Sequence, residues 1–472
     1  MPIALRRVAA AAALAAGCYL LFFYNLTGVG TLGPDEPRYA AIGREMARSG
    51  DWITPRLWGQ PWFEKPPLIY WMTAAAFRAG CGEDLAPRLG VALVAVGFLV
   101  FYWRTLRREF GAAPAFYASA ILATSAAWLV FSHVGVTDLP ETAAFAAAML
   151  ASLGWVERGE RRGLVSAAAL LGVAVLAKGL LPLALALPLL WMGRRRLGDL
   201  LRPAPVAAFL MVAAPWYVAM TARFGSRFLA EFFWKQHLGR FTGGAVSHPQ
   251  PFWFYAPILL AALFPWSPLA AALARRGLYK DARRRFLLLW LAFGLVFLSA
   301  AANKLPGYLL PLLPAAAALA GLALAECGWA PRLLAACALL LGLTPTIAAG
   351  LPDALSRGAT HAWTGIYGWG IAAAMALAAG VWFAARAGRL RLAVAALAVA
   401  AAVGAIWIER QTYPAIDRTV SPRDAWRAVA ARRNEACSGD VSRAWQYGLN
   451  YYAVTPLPDC ATSARAIRIE VR

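Results

Sequence analysis

The chain has 472 residues, of which 61% are hydrophobic and only 15% are charged, and its mean hydropathy is +0.56. This composition excludes a soluble globular protein of this size and indicates a chain that crosses a membrane many times. The net charge of +22 could suggest nucleic-acid binding, but the arginines lie in short clusters between apolar runs. Such clusters set membrane topology, so no nucleic-acid partner is predicted.

The apolar runs predict an all-α polytopic membrane protein. Runs of about 20 residues suit a hydrocarbon core of roughly 30 Å, and in lipid they must be helical because no water satisfies the backbone there. The positive-inside rule places the arginine clusters and the amino terminus in the cytoplasm. The first run also fits a cleavable signal, but its continuation into the polar loop favours a retained span. About thirteen spans result: a fourth span that ends before Arg158, two short spans within residues 164–192, and ten others near residues 8–24, 85–103, 113–131, 204–220, 252–273, 286–302, 309–324, 333–350, 366–385 and 392–408.

The long polar loop after the first span, residues 25–84, is predicted to lie outside. It carries Asp35 and Arg38 at the start of a helix-compatible stretch, and Glu64 and Lys65 before a pair of prolines. Charged groups beside a bilayer are costly, so function is the default interpretation. For Asp35 alone, a helix cap is the alternative, and both roles can coexist.

Two later charges are also predicted at the outer face. Asp138 follows an outer helix end, with a helix cap as the alternative. Lys178 interrupts residues 164–192, a stretch too long for one span and too short for two ordinary ones. We therefore expect Lys178 at the outer tip of a hairpin, with a snorkelling lysine as the alternative. The other outer candidates are His237 and Arg240 in a second loop, residues 221–250, and Tyr308 after the span that ends near residue 302.

Residues 409–472 differ in composition and predict a small outer carboxyl-terminal domain after a membrane domain of residues 1–408. Basic residues from 418 to 433 suggest an amphipathic helix, and aromatic residues near Trp445 and Tyr451 suggest short strands. Cys437 and Cys460 lie in this domain, and an oxidising outer compartment permits a disulfide between them.

Seven short segments carry a resemblance to a known family: residues 35–39, 50–56, 63–71, 137–138, 177–179, 232–241 and 304–308. Taken in order, they resemble membrane glycosyltransferases of the protein O-mannosyltransferase type, and in particular the aminoarabinose transferases that modify lipid A. No single segment is specific, but seven in the same order over the first 310 residues are. The resemblance fades after about residue 320.

The resemblance implies a GT-C type helical bundle with outer juxtamembrane helices and a small periplasmic carboxyl-terminal domain. It implies an inverting transfer of a sugar from undecaprenyl phosphate or a similar carrier to lipid A or another envelope acceptor. The expected location is the bacterial inner membrane, with the active site on the periplasmic face and no nucleotide cofactor. Fixed cations would stabilise the departing phosphate in the transition state. The implied donor phosphate-binding residues are Arg38, Lys65, Lys178, Arg240 and Tyr308, and the implied catalytic residues are Asp35 and Asp138.

Several alternatives stay open at this point. Glu64 and His237 are ligand types for a divalent ion, and the resemblance implies a metal such as zinc between them, with a simple hydrogen bond as the alternative. A lipid-linked sugar flippase is the rival class, although it would more naturally show inverted repeats. A protein or glycan acceptor, the identity of the sugar and the oligomeric state are not decided by the sequence.

Overall fold

The computed structural model describes residues 3–239, 248–463 and 465–470, and these residues are mainly helical, as predicted. The α-helices are α1 (Ile3–Phe22), α2 (Asp35–Ser49), α3 (Leu68–Arg78), α4 (Ala86–Phe110), α5 (Ala112–Ala123), α6 (Ala126–Ser132), α7 (Asp138–Ala151), α8 (Leu153–Arg158), α9 (Leu164–Lys178), α10 (Leu181–Leu185), α11 (Leu187–Met192), α12 (Pro203–Leu229), α13 (Tyr255–Ala262), α14 (Ala282–Ala300), α15 (Leu313–Glu326), α16 (Ala330–Leu340), α17 (Thr344–Arg357), α18 (Gly368–Arg386), α19 (Leu390–Thr419), α20 (Arg423–Val429) and α21 (Arg443–Tyr452).

Short helical turns and two small sheets complete the fold. A π-helical segment, Ala230–Gly239, continues α12. Strand β1 (Arg56–Leu57) pairs antiparallel with β2 (Gln60–Pro61), and β3 (Ala436–Ser438) pairs parallel with β4 (Ile467–Ile469). The 3₁₀ turns are Arg161–Gly163, Arg194–Asp199, Phe252–Phe254, Ser267–Ala274, Arg276–Leu278, Pro306–Leu312, Leu341–Leu343, Ala359–His361 and Ala430–Glu435.

Several of these helices are long and apolar enough to cross a membrane. Seven qualify in the described part of the chain, or nine if each of two bent pairs counts as one span. A multi-pass membrane protein is therefore confirmed, whereas the predicted number of thirteen spans is not. Consecutive helices such as α7 and α8, or α16 and α17, join into single spans.

The breaks in the two bent spans lie next to each other, and hydrogen bonds join the residues at the two breaks. α5 and α6 meet at 59°, and the segments Phe252–Ala262 and Ser267–Ala274 meet at 115°. The amide of Ala126 donates to the carbonyl of Phe264 at 2.9 Å, and the indole of Trp266 donates to the Thr124 hydroxyl at 2.9 Å. Broken backbone at membrane depth is stable only when protein groups replace the missing hydrogen bonds. This pairing therefore explains why the breaks occur together.

Helix α7 lies at the centre of the bundle. Apart from Asp138, Glu141 and Thr142 its residues are apolar, and 94% of an 18-residue window of the span that it begins is buried inside the protein. It packs along α9 and also against α4. A helix surrounded by others is held rigidly, so the residue that begins α7 has a fixed position at the end of the bundle.

The carboxyl-terminal segment packs on the first outer loop. α21 lies against α2, and Arg423 donates to the carbonyl of Thr27 at 2.7 Å and to Asp84 at 2.9 Å. Cys437 and Cys460 form the disulfide that the sequence permits. α19 continues from the membrane through residue 408 to Thr419, so one helix crosses the predicted domain boundary.

The predicted strands near Trp445 and Tyr451 are wrong, because these residues belong to α21. Ser442 caps the helix by accepting from the amide of Trp445. Trp445, Leu449 and Tyr452 are buried. Their spacing of four and three residues places them on one face of a helix. The aromatic side chains suggested strands because they favour β structure, but this buried face decides the conformation.

Candidate active site

The first cluster of predicted residues lies where α2 begins. Arg38 forms ion pairs with Asp35, one turn earlier, and with Glu64, whose Oε2 accepts from Nη1 at 2.9 Å. The Lys65 ammonium lies 4.0 Å from the other oxygen of Glu64. No side chain caps α2, whose N-cap is Pro34, so the cap alternative for Asp35 is not what the structure contains. Four residues predicted from two separate segments are therefore in contact.

The side chains of this cluster differ in how far they are exposed to solvent. The side chain of Arg38 is 4% exposed, whereas that of Asp35 is 44% exposed. Burial opposes the charge on Arg38, but Glu64 and Asp35 outweigh it and raise the pKa of this guanidinium. Arg38 is thus a permanent cation, and Asp35 is the acid that a ligand can reach.

Aromatic side chains surround the Arg38 guanidinium. The Cζ atom of Arg38 lies 5.0 Å from the ring centre of Tyr447 and 5.5 Å from that of Trp62. Both distances are within the range of cation–π attraction. Among the residues that the structure describes, the indole N–H of Trp62 and the hydroxyl of Tyr70 are buried without a hydrogen-bond partner. Orphaned donors beside a fixed cation suit a ligand with many oxygen atoms, such as a phosphorylated sugar.

The second cluster joins the start of α7 to the end of α9. Lys178 donates to Asp138 at 2.9 Å and lies 3.5 Å from Glu141. The Lys178 ammonium also lies 4.9 Å from the ring centre of Tyr308. Lys178 is only 6% exposed, so it is a buried, paired cation rather than a snorkelling one. The N-cap of α7 is Thr137, and the Asp138 carboxylate contacts Lys178 instead of capping the helix.

The residue before Tyr308 is Gly307, and its close contacts show why a glycine is needed there. A Cβ at this position would lie 2.7 Å from Oδ1 of Asp138 and 2.9 Å from the ring of Phe131. Only glycine lets the backbone approach the carboxylate this closely. The turn thereby brings Tyr308 over Lys178.

The two clusters adjoin. Lys65 of the first cluster lies near enough for its charge to act on Glu141 of the second. Helix α3, which follows Lys65, packs against α9, which ends in Lys178. One site therefore collects the predicted residues Asp35, Arg38, Glu64, Lys65, Asp138, Lys178 and Tyr308.

Two predicted residues cannot be placed in this site. Arg240 lies outside the described residues, and His237 belongs to the segment Ala230–Gly239 with its side chain outside the description. In the described ranges, no group of three or more His, Cys, Asp and Glu side chains could hold a metal. Glu64 faces Arg38 and Lys65, and two cations do not favour a third on the same carboxylate. The described residues alone therefore do not form a metal site.

The sequence reasoning missed Glu141 and the pair of Glu36 and Arg88. Glu141 is fully buried, and neither of its oxygens has a hydrogen-bond partner in the described chain other than the nearby Lys178. Its spacing of three residues from Asp138 on an apolar helix was a usable signal, because the two side chains share a face. Glu36 and Arg88 form a fully buried ion pair with separations of 2.7 and 2.9 Å. No local pattern links these two residues.

Comparison with known proteins finds similar sequences and similar folds. Residues 64–222 match the model of the family described as dolichyl-phosphate-mannose-protein mannosyltransferase. This part of the chain is therefore similar to that family. The matched range contains Lys65, Asp138 and Lys178. The resemblance seen in the sequence is thereby confirmed.

Several curated relatives carry the name undecaprenyl phosphate-alpha-4-amino-4-deoxy-L-arabinose arabinosyl transferase. The protein from Pseudomonas aeruginosa strain UCBPP-PA14 is 35% identical over 322 residues, which cover 65% of this chain and 58% of the relative. The protein from Serratia proteamaculans is 32% identical over 308 residues, which cover 62% of this chain and 55% of the relative. The matched region thus spans little more than half of each relative.

Solved structures show the same fold over nearly the whole chain. ArnT from Cupriavidus metallidurans bound to undecaprenyl phosphate aligns with a TM-score of 0.76 and 26% identity, covering 95% of this chain and 85% of that protein. The apo form aligns with a TM-score of 0.79 and 24% identity, covering 99% and 90%. The helical bundle and the packed carboxyl-terminal segment therefore belong to one known architecture.

Proposed function

We propose that this chain is an inverting glycosyltransferase that moves a sugar from an undecaprenyl-phosphate carrier to lipid A or another cell-envelope acceptor. The observation that carries the proposal is the union of two charge clusters, each with a buried cation and a partly exposed aspartate. The family match, the named relatives and the neighbour bound to undecaprenyl phosphate support it. A pentose such as aminoarabinose is the sugar that these relatives favour.

In this proposal, the cations bind the phosphate of the donor. When the acceptor oxygen attacks the sugar carbon, the bond from that carbon to the phosphate oxygen breaks, and the departing carrier phosphate gains negative charge. Lys65 and Lys178, together with Arg38, Arg240 and Tyr308, would hold that charge. Cations fixed before the reaction stabilise the transition state more than the ground state.

The two aspartates would act on the acceptor and the sugar. Asp35 is the more exposed, and it would orient the acceptor or remove its proton. If the acceptor is a phosphate group, it is already an anion and no proton need be removed, so Asp35 would only orient it. Asp138 contacts Lys178 and would position this lysine against the donor phosphate while facing the sugar.

The metal and the membrane arrangement are further parts of the proposal. A zinc ion between Glu64 and His237 is the cofactor that the resemblance implies, and no catalytic step above depends on it. Counting four further apolar helices, α1, α9, α14 and the short pair after Lys178, would raise the nine candidate spans to thirteen. This topology would place the site on the periplasmic face of the inner membrane. Residues 1–408 would form the membrane domain and residues 409–472 a small periplasmic domain.

The deciding experiment is sugar transfer by the purified protein in lipid nanodiscs. Wild type, Asp35→Ala and Lys178→Ala are given undecaprenyl-phosphate aminoarabinose and lipid A, and the product is measured by mass spectrometry. We expect transfer by wild type and its loss in both variants. Undiminished transfer in both variants would remove the proposed site. Movement of the carrier across the bilayer of proteoliposomes made with the same protein, without transfer, would favour a flippase.

A further inference from the structure

A second recess lies on the outer surface, between the far end of α2, the end of α3 and the carboxyl-terminal segment. Its volume is about 400 Å³, enough for a phosphorylated sugar headgroup. Three arginines line it: Arg44 and Arg48 from α2 and Arg78 from α3. The rest of its lining is Ala47, Phe77, Glu83 and Val454. None of these residues belongs to the site described above.

The three arginines bring charge that the protein does not neutralise. In the part of the chain that the structure describes, none of them forms an ion pair with a carboxylate. Arg44 is 7% exposed, and one of its nitrogens donates to the carbonyl of Tyr451 at 2.6 Å. Its guanidinium lies 4.4 Å from the ring centre of Tyr451. A buried guanidinium without a carboxylate is costly, and an incoming anion would remove that cost.

Nearby acids are turned to other partners. Glu45 accepts from the backbone amide of Gly59, and Asp51 pairs with Arg223. Asp84 pairs with Arg423 and accepts from the hydroxyl of Tyr452. Only Glu83 remains at the rim, so the recess has three positive charges and one negative charge.

The pKa of Arg44 shows that its charge is opposed in the free protein. Burial lowers the pKa of this guanidinium and the charge of Arg48 lowers it further, against opposing effects of Tyr451 and Glu83 that are each smaller than that of burial. Burial and the neighbouring Asp84 raise the pKa of Glu83. An anion bound in the recess would stabilise the charged form of Arg44.

The recess lies at a defined distance from the proposed active site. Arg38 and Arg48 are ten residues apart on α2, which is about 15 Å at a rise of 1.5 Å per residue. A lipid whose headgroup carries two phosphates on neighbouring sugars can span this distance. One phosphate would reach the site at the start of α2 while the other reaches the recess at its end.

We infer that the recess of Arg44, Arg48 and Arg78 binds a phosphate group of the acceptor lipid that is distinct from the group that receives the sugar. This inference rests on the proposed function, because it assigns the substrate of the same enzyme. An arginine guanidinium binds phosphate through paired hydrogen bonds, and three guanidinium groups around one recess would hold an anion in a fixed position. The recess therefore selects acceptors with a second anionic group.

The test uses Arg48→Gln and Arg78→Gln, because both side chains are exposed and their loss spares the buried Arg44. Arg433→Gln is the matched control, since it removes one exposed positive charge from the carboxyl-terminal segment outside the recess. Binding of lipid A and of monophosphoryl lipid A to each protein in phosphatidylcholine nanodiscs is measured by native mass spectrometry. Sugar transfer is followed with the same acceptors.

For lipid A, each variant in the recess should raise the half-saturating concentration roughly three- to tenfold, with the maximal rate unchanged. The control should match wild type. With monophosphoryl lipid A, wild type and variants should become equal, which identifies the acceptor as the source of the phosphate. Equal lipid A binding by all four proteins overturns the inference. A variant effect that appears only after phosphatidylglycerol is added also overturns it and assigns the recess to bulk anionic lipid. If wild type transfers no sugar, the proposed function fails, while the binding data still decide whether the recess holds phosphate.

Discussion

Replacement of Lys178 by methionine tests the second cluster most directly. The change removes the cation that lies 2.9 Å from Asp138 and 3.5 Å from Glu141. Glu141 is fully buried with no other partner in the described chain, whereas the Asp138 side chain is 16% exposed and can be hydrated. Removing one member of a buried ion pair costs about 3–5 kcal/mol because the other charge is left uncompensated. We expect the free energy of unfolding to fall by about this amount.

A second variant separates stability from catalysis. Lys178→Met combined with Glu141→Gln removes the stranded charge, so stability should largely return. Sugar transfer should stay about 10²- to 10³-fold below wild type in both variants, the usual cost of losing a fixed electrostatic partner of the transition state. Thermal unfolding in detergent measures stability, and initial rates in nanodiscs measure transfer. If transfer recovers together with stability in the double variant, Lys178 is structural and our assignment of it is wrong.

Four further predictions follow from individual contacts. Asp35→Asn should lower the maximal rate of transfer to a hydroxyl acceptor about 10²-fold, because an amide cannot remove the proton of that acceptor. The melting temperature should not change, because this side chain is 44% exposed and makes one ion pair; a normal rate would exclude Asp35 as the base. Arg88→Met should destabilise the protein by about 3–5 kcal/mol in thermal unfolding, because it leaves the buried Glu36 carboxylate without its cation. A normal melting temperature would refute this. A zinc ion between Glu64 and His237, the cofactor that the resemblance implies, predicts about one zinc per chain by elemental analysis and its loss in Glu64→Gln; wild type without metal would reject the cofactor. Cys437→Ser should lower the stability of the carboxyl-terminal segment by about 3 kcal/mol, because the disulfide closes a loop of 23 residues. The loss would be seen as faster proteolysis of this segment than in wild type.

Much of the site could be predicted from the sequence because its residues lie in short, ordered motifs at helix ends. The positive-inside rule assigned Asp35, Lys65, Asp138 and Lys178 to one side of the membrane, and the structure brings them into one site. The hairpin around Lys178 is predicted from the length of its apolar stretch and from the arginine clusters on both flanks. Charge and length are properties of the chain itself, so they need no knowledge of packing.

The fold was predicted less completely where packing decides. The broken spans could not be foreseen, because the hydrogen bond from Ala126 to Phe264 joins residues far apart in the chain. The helix near Trp445 was read as strands because its buried face exists only when α21 packs on α2. A pattern of aromatic residues does not say which surface will cover them.

The neighbouring acids Asp35 and Glu36 show how one helix assigns opposite roles. Successive side chains on a helix point about 100° apart, so one can face the site while the other faces the interior. The Glu36 side chain is fully buried and binds Arg88, and it also accepts from the amides of Leu32 and Gly135, both at 2.8 Å. Leu32 precedes α2, and Gly135 lies three residues before Asp138.

Glu36 therefore ties the start of α2 to the turn before α7, where the second aspartate stands. The contact is close: a Cβ at Gly135 would lie 2.8 Å from Pro87, the residue before Arg88. A site built from two distant segments needs such a link, because catalysis depends on the separation of groups to within about 1 Å. Glu36→Gln keeps the shape but removes the charge that holds Arg88, so it should lower the rate of transfer without removing any group that touches substrate. A normal rate in a normally folded Glu36→Gln protein would show that the two clusters are positioned independently.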